Sequence, residues 1–342
     1  MKQFSILLMM LIVFLSSCAV TVYKKYPIDV YKPGEINVSS DVQNVAIVYR
    51  NFKYPGDTLQ HYYKDNYKLK KVKNDPQNMD SVLVSFALKA LASNLKSKKG
   101  FDRIHIFPAI FKPYTGKNLP ALQPDMVKKL TSSTETDLLI SLETFSYFFS
   151  EYEQEYNTPK SREVITAAVW AVYDPQTEKV LDRKSMIDTV FWNNYDDNGK
   201  YVKNKKLPPR QTALKIASQL AGESYSRRFM ASWQTVNRIY SIPPLPDFEQ
   251  ADKFVADKKW DSAILIWKRY AHEKNGKMAI NARYNLALAY EMKDDILTAW
   301  KWLVAAQELA TKYNSKEDIK LILSYQKILA KRKKDIDRLN QG

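Results

Sequence analysis

The C-terminal part of this chain repeats at a fixed spacing, and nothing else in the sequence limits its fold so tightly. Ala251, Phe254, Ala263 and Trp267 recur 36 residues on as Ala287, Tyr290, Ala299 and Leu303. Small residues let the two helices of a pair approach closely, and bulky ones fill the groove between successive pairs. Two pairs alone bury little surface. A further helix over 314–339 is therefore expected to cap them, with Ile319, Ile322, Leu323, Ile328 and Leu329 inward and Lys and Arg outward. Upstream, residues 241–246 (SIPPLP) carry Pro243, Pro244 and Pro246. They cannot continue a helix, so the segment reads as a stiff linker between two domains.

The order small, aromatic, Ala, bulky resembles the tetratricopeptide pattern, whose period is ~34. Asp247 and Arg283 stand where that pattern has Trp, and its late Pro is absent. The resemblance implies that the first helix of each pair lines a concave face. That register brings forward Phe248, Asp252, Asn281, Tyr284, Leu288 and Glu291. Mixed aromatic and polar side chains on a rigid scaffold suit capture of a peptide, so a protein partner is expected in this groove. The same face could equally pack on the preceding domain.

Residues 42–240 alternate short apolar runs with amphipathic stretches. Residues 42–52 (VQNVAIVYRNF), 103–108 (RIHIFP), 137–149 (DLLISLETFSYFF), 163–173 (EVITAAVWAVY) and 179–192 read as strands. The last two form a hairpin around the turn Asp174-Pro175-Gln176-Thr177. A helix is expected over 80–99, with Val82, Leu83, Phe86, Leu88, Ala90, Leu91 and Leu95 inward and Gly100 as its cap. A short helix covers 124–130. A long one covers 210–240, with Ala213, Ile216, Ala217, Leu220, Ala221, Tyr225, Phe229 and Trp233 inward. Residues 193–209 are a polar insert. The fold class is thus α+β, an α/β sandwich with a mixed sheet, followed by an all-α tetratricopeptide-like repeat domain at 247–342. The segments VQNVAIVYRNF, TETDLLISLETF, VWAVYDPQTEKVLDR and ALKIASQLAGESYSRRF resemble, in that order, the small α/β domain of periplasmic lipoproteins. Examples are the curli secretion channel subunit, the penicillin-binding-protein activators and the TolB N-terminal domain. Glu135-Thr136 stands where that pattern has glycine. As a whole, the chain resembles lipoproteins of Bacteroidota with a C-terminal helical repeat, a resemblance that supplies no activity.

Residues 1–17 place one cation, Lys2, before an apolar run from Ile6 to Leu15, and small residues follow up to Cys18. That is the layout of a secretory signal, and the run is shorter than the ~20 residues that span a bilayer. Leu15-Ser16-Ser17-Cys18 resembles the bacterial lipobox, which implies cleavage before Cys18 and its acylation. Cys18 is the only cysteine, so it has no intramolecular disulfide partner. Ala19 follows it rather than Asp, and by resemblance to known sorting rules this directs the protein to the outer membrane, facing the periplasm. Residues 18–41, with Pro27, Pro33 and Gly34, read as an extended tether.

The formal net charge is +16. In an envelope compartment that suits anionic lipid headgroups, an acidic polysaccharide or an acidic partner rather than nucleic acid, unless it is merely a solvated surface. No Gly-rich phosphate loop, zinc spacing among His61, His105 and His272, or Gly-x-Ser-x-Gly elbow occurs. Asn194-x-Asp196-x-Asn198-Gly199 imitates the start of a calcium loop, but Lys205 stands where a bidentate Glu is required. No catalytic residue, metal or cofactor is therefore expected. Tyr62, Tyr63 and Tyr67, with Phe145, Tyr147, Phe148, Phe149 and Tyr156, could stack on sugar rings or simply pack. Together these features suggest a non-enzymatic adaptor anchored to the membrane through an acylated Cys18. The alternative is an oligomeric subunit of an envelope secretion or assembly complex.

Overall fold

The structure, a computed structural model, describes residues 21–73, 76, 78–107, 111, 114–153, 160–196, 198–273 and 276–341. The signal segment and Cys18 lie outside the described residues. Contacts divide the chain into two compact units: residues 33–231, and residues 232–341 together with the strand at 22–32. The strands are β1 Val22–Lys32, β2 Asn44–Tyr49, β3 Phe52–Lys53, β4 Tyr62–Asp65, β5 Lys68–Lys71, β6 Arg103–Ile106, β7 Tyr114–Thr115, β8 Leu138–Tyr152, β9 Ser161–Asp174, β10 Lys179–Asn193 and β11 Ser232–Ile242. The α-helices are α1 Met79–Asn94, α2 Pro124–Thr134, α3 Arg210–Ser226, α4 Pro246–Ala256, α5 Trp260–Ala271, α6 Lys277–Met292, α7 Ile296–Lys312 and α8 Lys316–Gln341.

In the 33–231 unit β8 is the spine of a mixed sheet ordered β10-β9-β8-β2-β6. Its first residues pair in parallel with β2, its last in parallel with β4, and nearly its whole length runs antiparallel to β9. Val45, Ala46, Ile47 and Val48 are all fully buried, as a strand covered on both faces requires. A register shift between Leu142 and Thr144 leaves Glu143 in a bulge. Before it Leu138, Ile140 and Leu142 join the core with α1 and α3; after it Phe145, Tyr147 and Phe149 do. One inserted residue thus reverses which parity faces the helices, and it sends Glu143 to the opposite face. That face is closed by α2 and by Leu122, packed on Ala46, Val48, Leu139, Ala171 and Tyr173.

In the other unit β1 and β11 form an antiparallel ribbon, in register from Val22↔Ile242 to Lys32↔Ser232. Helices α4 to α8 complete it. The repeat is visible in the backbone. Lys258, Asp294 and Asn314 adopt left-handed φ values of 60°, 58° and 52°. Each next N–H returns to a carbonyl five residues back: Lys259 to Phe254 at 2.7 Å, Asp295 to Tyr290 at 3.0 Å and Ser315 to Ala310 at 3.0 Å. These are helix-ending caps that turn the chain the same way three times. The repeated small positions Ala251, Ala263, Ala287 and Ala299 are fully buried. The expected fold class, an α/β sandwich with a mixed sheet followed by a helical repeat, is what the structure has.

Four expectations need correction. The helix expected over 210–240 stops at Ser226, and a 3-10 turn over Arg227–Phe229 leads into β11. Thr235, Val236, Ile239 and Ile242 favour a strand, and β1 supplies its ladder. Much of the expected tether at 18–41 is β1. The linker over 241–246 shrinks from both ends, because Ile242 closes β11 and Pro246 opens α4, where its missing N–H is harmless. Among the side chains expected inward, Val82, Phe86, Ile216, Trp233, Leu323 and Ile328 are exposed. The buried stripes run one position aside, through Val84, Ala87, Leu214, Ser218 and Tyr325.

Candidate functional site

The groove expected to take a protein partner is already filled. Helix α6 packs between α5 and α7 and against β11. Phe248, Asn281, Tyr284, Leu288 and Glu291 are buried, none more than 4% exposed. Asp252 is engaged within its own unit by Lys24 Nζ at 2.9 Å and by the Tyr240 hydroxyl. The Ser241 N–H donates to Asn285 Oδ1 at 2.8 Å, and Asn285 Nδ2 donates to the Ser241 carbonyl at 2.7 Å. Five of the six residues are therefore turned into the unit, and Asp252 and Glu291 bond to the ribbon directly. A peptide reading them would first have to displace β11. The sequence reading missed this because it extended a helix through 232–240 and so left no strand to lie there.

Glu291 is the centre of that face. Arg238 on β11 donates to both its oxygens at 2.8 Å, Tyr325 to Oε2 at 2.5 Å and Arg332 to Oε1 at 2.7 Å, the last two from α8. Burial alone would raise the Glu291 carboxyl. The hydrogen bonds and charge of Arg238, with those from Tyr325 and Arg332, outweigh it and hold the carboxyl below the usual carboxylate range. A second buried pair lies in the 33–231 unit. Arg50 Nη1 donates to Glu143 Oε2 at 2.5 Å and to the Pro120 carbonyl at 2.7 Å, and Nη2 to the Tyr114 hydroxyl at 2.7 Å. The Tyr173 hydroxyl donates to Glu143 Oε1 at 3.0 Å; burial and then the Glu143 charge push that hydroxyl up to about 12. Glu143 is fully buried with both oxygens engaged, so this pair pins the 114–122 segment to the sheet rather than meeting a substrate.

The open site lies at the far end of β8. There the β4–β5 hairpin pairs beside Phe149, Ser150 and Glu151. A cleft of about 700 Å³ is lined by Tyr63, Phe149 and four cations, Lys70, Lys71, Lys73 and Arg210. A neighbouring cleft of about 370 Å³ shares Glu151 and adds Tyr152, Lys160, Arg162, Lys203, Lys205 and Lys206. Some of these cations are used internally. Lys70 pairs with Asp65, Lys160 with Glu153 and Arg162 with Glu151, while Arg162 also donates to the Leu207 and Pro208 carbonyls. Lys71, Lys73, Lys203 and Lys206 have no carboxylate within ion-pair distance among the described residues. Glu151 lines both clefts, and burial raises its carboxyl despite Arg162. Tyr67 and Tyr152 meet edge to face at 6.1 Å with Lys64 Nζ over both rings. Of the expected aromatic residues, Tyr63 and Tyr67 thus gather here, Phe149 lines the cleft from the core that also holds Phe145 and Tyr147, and Tyr156 lies outside the described residues. The lysine runs KLKKVK at 68–73 and KNKK at 203–206 were the signals that could have found this site.

Among the described residues no three His, Cys, Asp or Glu side chains cluster as metal ligands. Asp196 instead caps its own loop by accepting from the N–H groups of Asn198 and Lys200. No described helix is long and apolar enough to cross a membrane.

No curated protein matches the chain. Similar solved structures include the PelC dodecamer from Paraburkholderia phytofirmans, 10% identical over 60% of this chain and 99% of that one, with a TM-score of 0.25. Protein XCC0632 from Xanthomonas campestris is 11% identical over 58% and 86%, with a TM-score of 0.27. Lipoprotein GNA1162 from Neisseria meningitidis is 14% identical over 45% and 88%, with a TM-score of 0.21. Likeness at this level carries no argument about function. A domain of unknown function, DUF6340, matches residues 249–331. Another, DUF8603, matches residues 42–241, more than half of the chain, and the chain belongs to the DUF8603 family.

Proposed function

We propose that this chain is a non-enzymatic binding module of the bacterial envelope, held on the periplasmic side of the outer membrane by an acylated Cys18, and that its 33–231 unit binds an acidic glycan. One observation carries the reading. Lys71, Lys73, Lys203 and Lys206, none of them ion-paired among the described residues, line two adjoining clefts in which the cations outnumber the acids Glu151 and Glu153, and which also present Tyr63 and Tyr152. Ammonium groups suit carboxylate or sulfate substituents, and flat rings suit the faces of sugars. The mature chain is expected to bind polygalacturonate and to release it as salt rises. Lys71→Glu with Lys206→Glu should weaken that binding about tenfold or more. Titration calorimetry against polygalacturonate and neutral dextran checks it. Equal binding of the neutral polymer, or an unchanged affinity in the double variant, would sink the reading.

A second reading, self-association, is favoured by β10. This strand of 15 residues pairs with β9 on one side and ends the sheet on the other, with Ile187 and Phe191 exposed. A long unpaired edge is a template for another strand. In an antiparallel pair of two β10 strands centred on Met186, Lys184 of each copy lies opposite Asp188 of the other, a favourable cross-strand pair. Sedimentation should show a dimer that Lys184→Asp weakens and that adding Asp188→Lys restores. A monomer at all concentrations excludes it.

A further inference from the structure

Helix α8 carries an exposed ridge that nothing in its unit uses. Lys316, Lys320, Leu323, Lys327, Lys331 and Lys334 fall at helical spacing on one face, and all are exposed. The acids of the helix lie off this line: Glu317 and Asp335 to one side, Asp337 to the other, and Asp318 buried. The result is a stripe of one sign running the length of a 26-residue helix, ~39 Å at 1.5 Å per residue. The opposite face, with Ile322, Tyr325 and Leu329, is what holds α8 to the repeat.

The covalent chain says where this ridge stands relative to a membrane. Strand β1 packs against α8, and burial together with the charges of Asp318 and Glu317 raises the Tyr23 hydroxyl, so the start of β1 meets the first turn of α8. Val22, at the start of β1, is four residues from Cys18, and four residues span at most ~14 Å. An acyl group on Cys18 therefore cannot leave this end of the unit far from the bilayer. Val22 and Tyr23 are exposed at this end of the unit, 59% and 45%.

We propose that the lysine ridge of α8 docks on the anionic headgroups of the membrane in which the Cys18 acyl chains sit. Lysines beside an anionic surface contribute additively, and an acyl anchor supplies the proximity that makes several weak contacts count together. The proposal rests on the reading that Cys18 is acylated, and its test separates the two. The mature acylated chain is reconstituted into vesicles of phosphatidylcholine alone or with phosphatidylglycerol, floated, and acetylated briefly, with modification at each lysine read by mass spectrometry. Lys316, Lys320, Lys327, Lys331 and Lys334 are expected to react about fivefold more slowly in the anionic vesicles than in the neutral ones. The variant Lys316→Glu, Lys320→Glu, Lys327→Glu should still float, yet lose the protection at Lys331 and Lys334. A chain that floats with equal ridge reactivity in both vesicles overturns the docking and leaves the anchor standing. Failure to float with either vesicle overturns both.

Discussion

Replacing Glu291 by Ala is expected to cost the 232–341 unit about 3–5 kcal/mol, the range for removing one partner of a buried ion pair. The loss comes less from contacts forgone than from charge left behind. Arg238 is 7% exposed and, with Glu291 gone, keeps a long bond to the Asn237 carbonyl at 3.4 Å and the neighbouring Tyr325 but no carboxylate among the described residues, so the substitution strands a guanidinium in the core. Arg332 fares better because it keeps Asp294 at 2.6 Å, and the Tyr325 hydroxyl loses its acceptor. Urea titration followed by hydrogen exchange in α6 and β11 measures the effect where it arises. Adding Arg238→Met to Glu291→Ala should recover part of the stability, since removing the second charge removes the stranded group. The pH dependence has a fixed sign. The folded carboxyl is held below its unfolded value, so its stabilisation is complete above the ordinary carboxylate range and fades as pH falls through the lowered value. The gap between wild type and variant must therefore narrow in acid. A gap that is small at neutral pH, or that widens in acid, would show that Glu291 does not hold the ribbon to the helices.

That cluster also shows what the sequence could and could not reveal. Local periodicity located β2, β8, β9, β10, α1 and the repeat helices, because each pattern is written in consecutive residues and depends on no distant partner. The 36-residue spacing was legible for the same reason, and the structure adds to it equivalent caps at Lys258 and Asp294. Ribbon β1–β11 was not. Its strands are separated by the entire 33–231 unit, β1 carries a proline within a polar run, and Phe229 and Trp233 continue the spacing of α3 past its end. No Gly or Pro marks the stop at Ser226. With no strand placed there, the tetratricopeptide register assigned Tyr284 and Glu291 to a face open to a partner or to the preceding domain, not to a ribbon of their own unit. The bulge at Glu143 escaped too, because a one-residue insertion in an apolar strand changes parity without changing composition. The basic clefts were legible as lysine runs but not as a site: only the pairing of the β4–β5 hairpin with β8 puts 68–73 near Arg210, and a loop far along the chain adds 203–206.

Gly222 is where a single methyl group is expected to do most damage in the 33–231 unit. Gly in a helix ordinarily invites stabilisation, since Ala is better there by ~1 kcal/mol. Here a Cβ would lie 2.0 Å from the Ala87 carbonyl oxygen, 2.9 Å from its carbon and 3.0 Å from the Leu91 nitrogen. All three are backbone atoms of α1, so no flexible side chain can move aside. The two helices must separate instead, and both belong to the core that includes Trp170 stacked on Tyr225 at 4.9 Å. Overpacking of a core costs about 1–3 kcal/mol and at times more, and a clash with rigid backbone belongs at or above the top of that range. The clash therefore outweighs the propensity gain, and Gly222→Ala should destabilise the unit by about 2–4 kcal/mol, with Gly222→Val worse. The exposed neighbour Gln219, replaced by Ala on the same helix, should change stability by no more than about 0.5 kcal/mol. Hydrogen exchange localises the result: amides of α1 and β9 should lose protection in Gly222→Ala while those of α6 and α7 keep theirs. Stabilisation by Gly222→Ala would mean that α1 and α3 stand farther apart than this packing allows, and the account of their interface would fall with it.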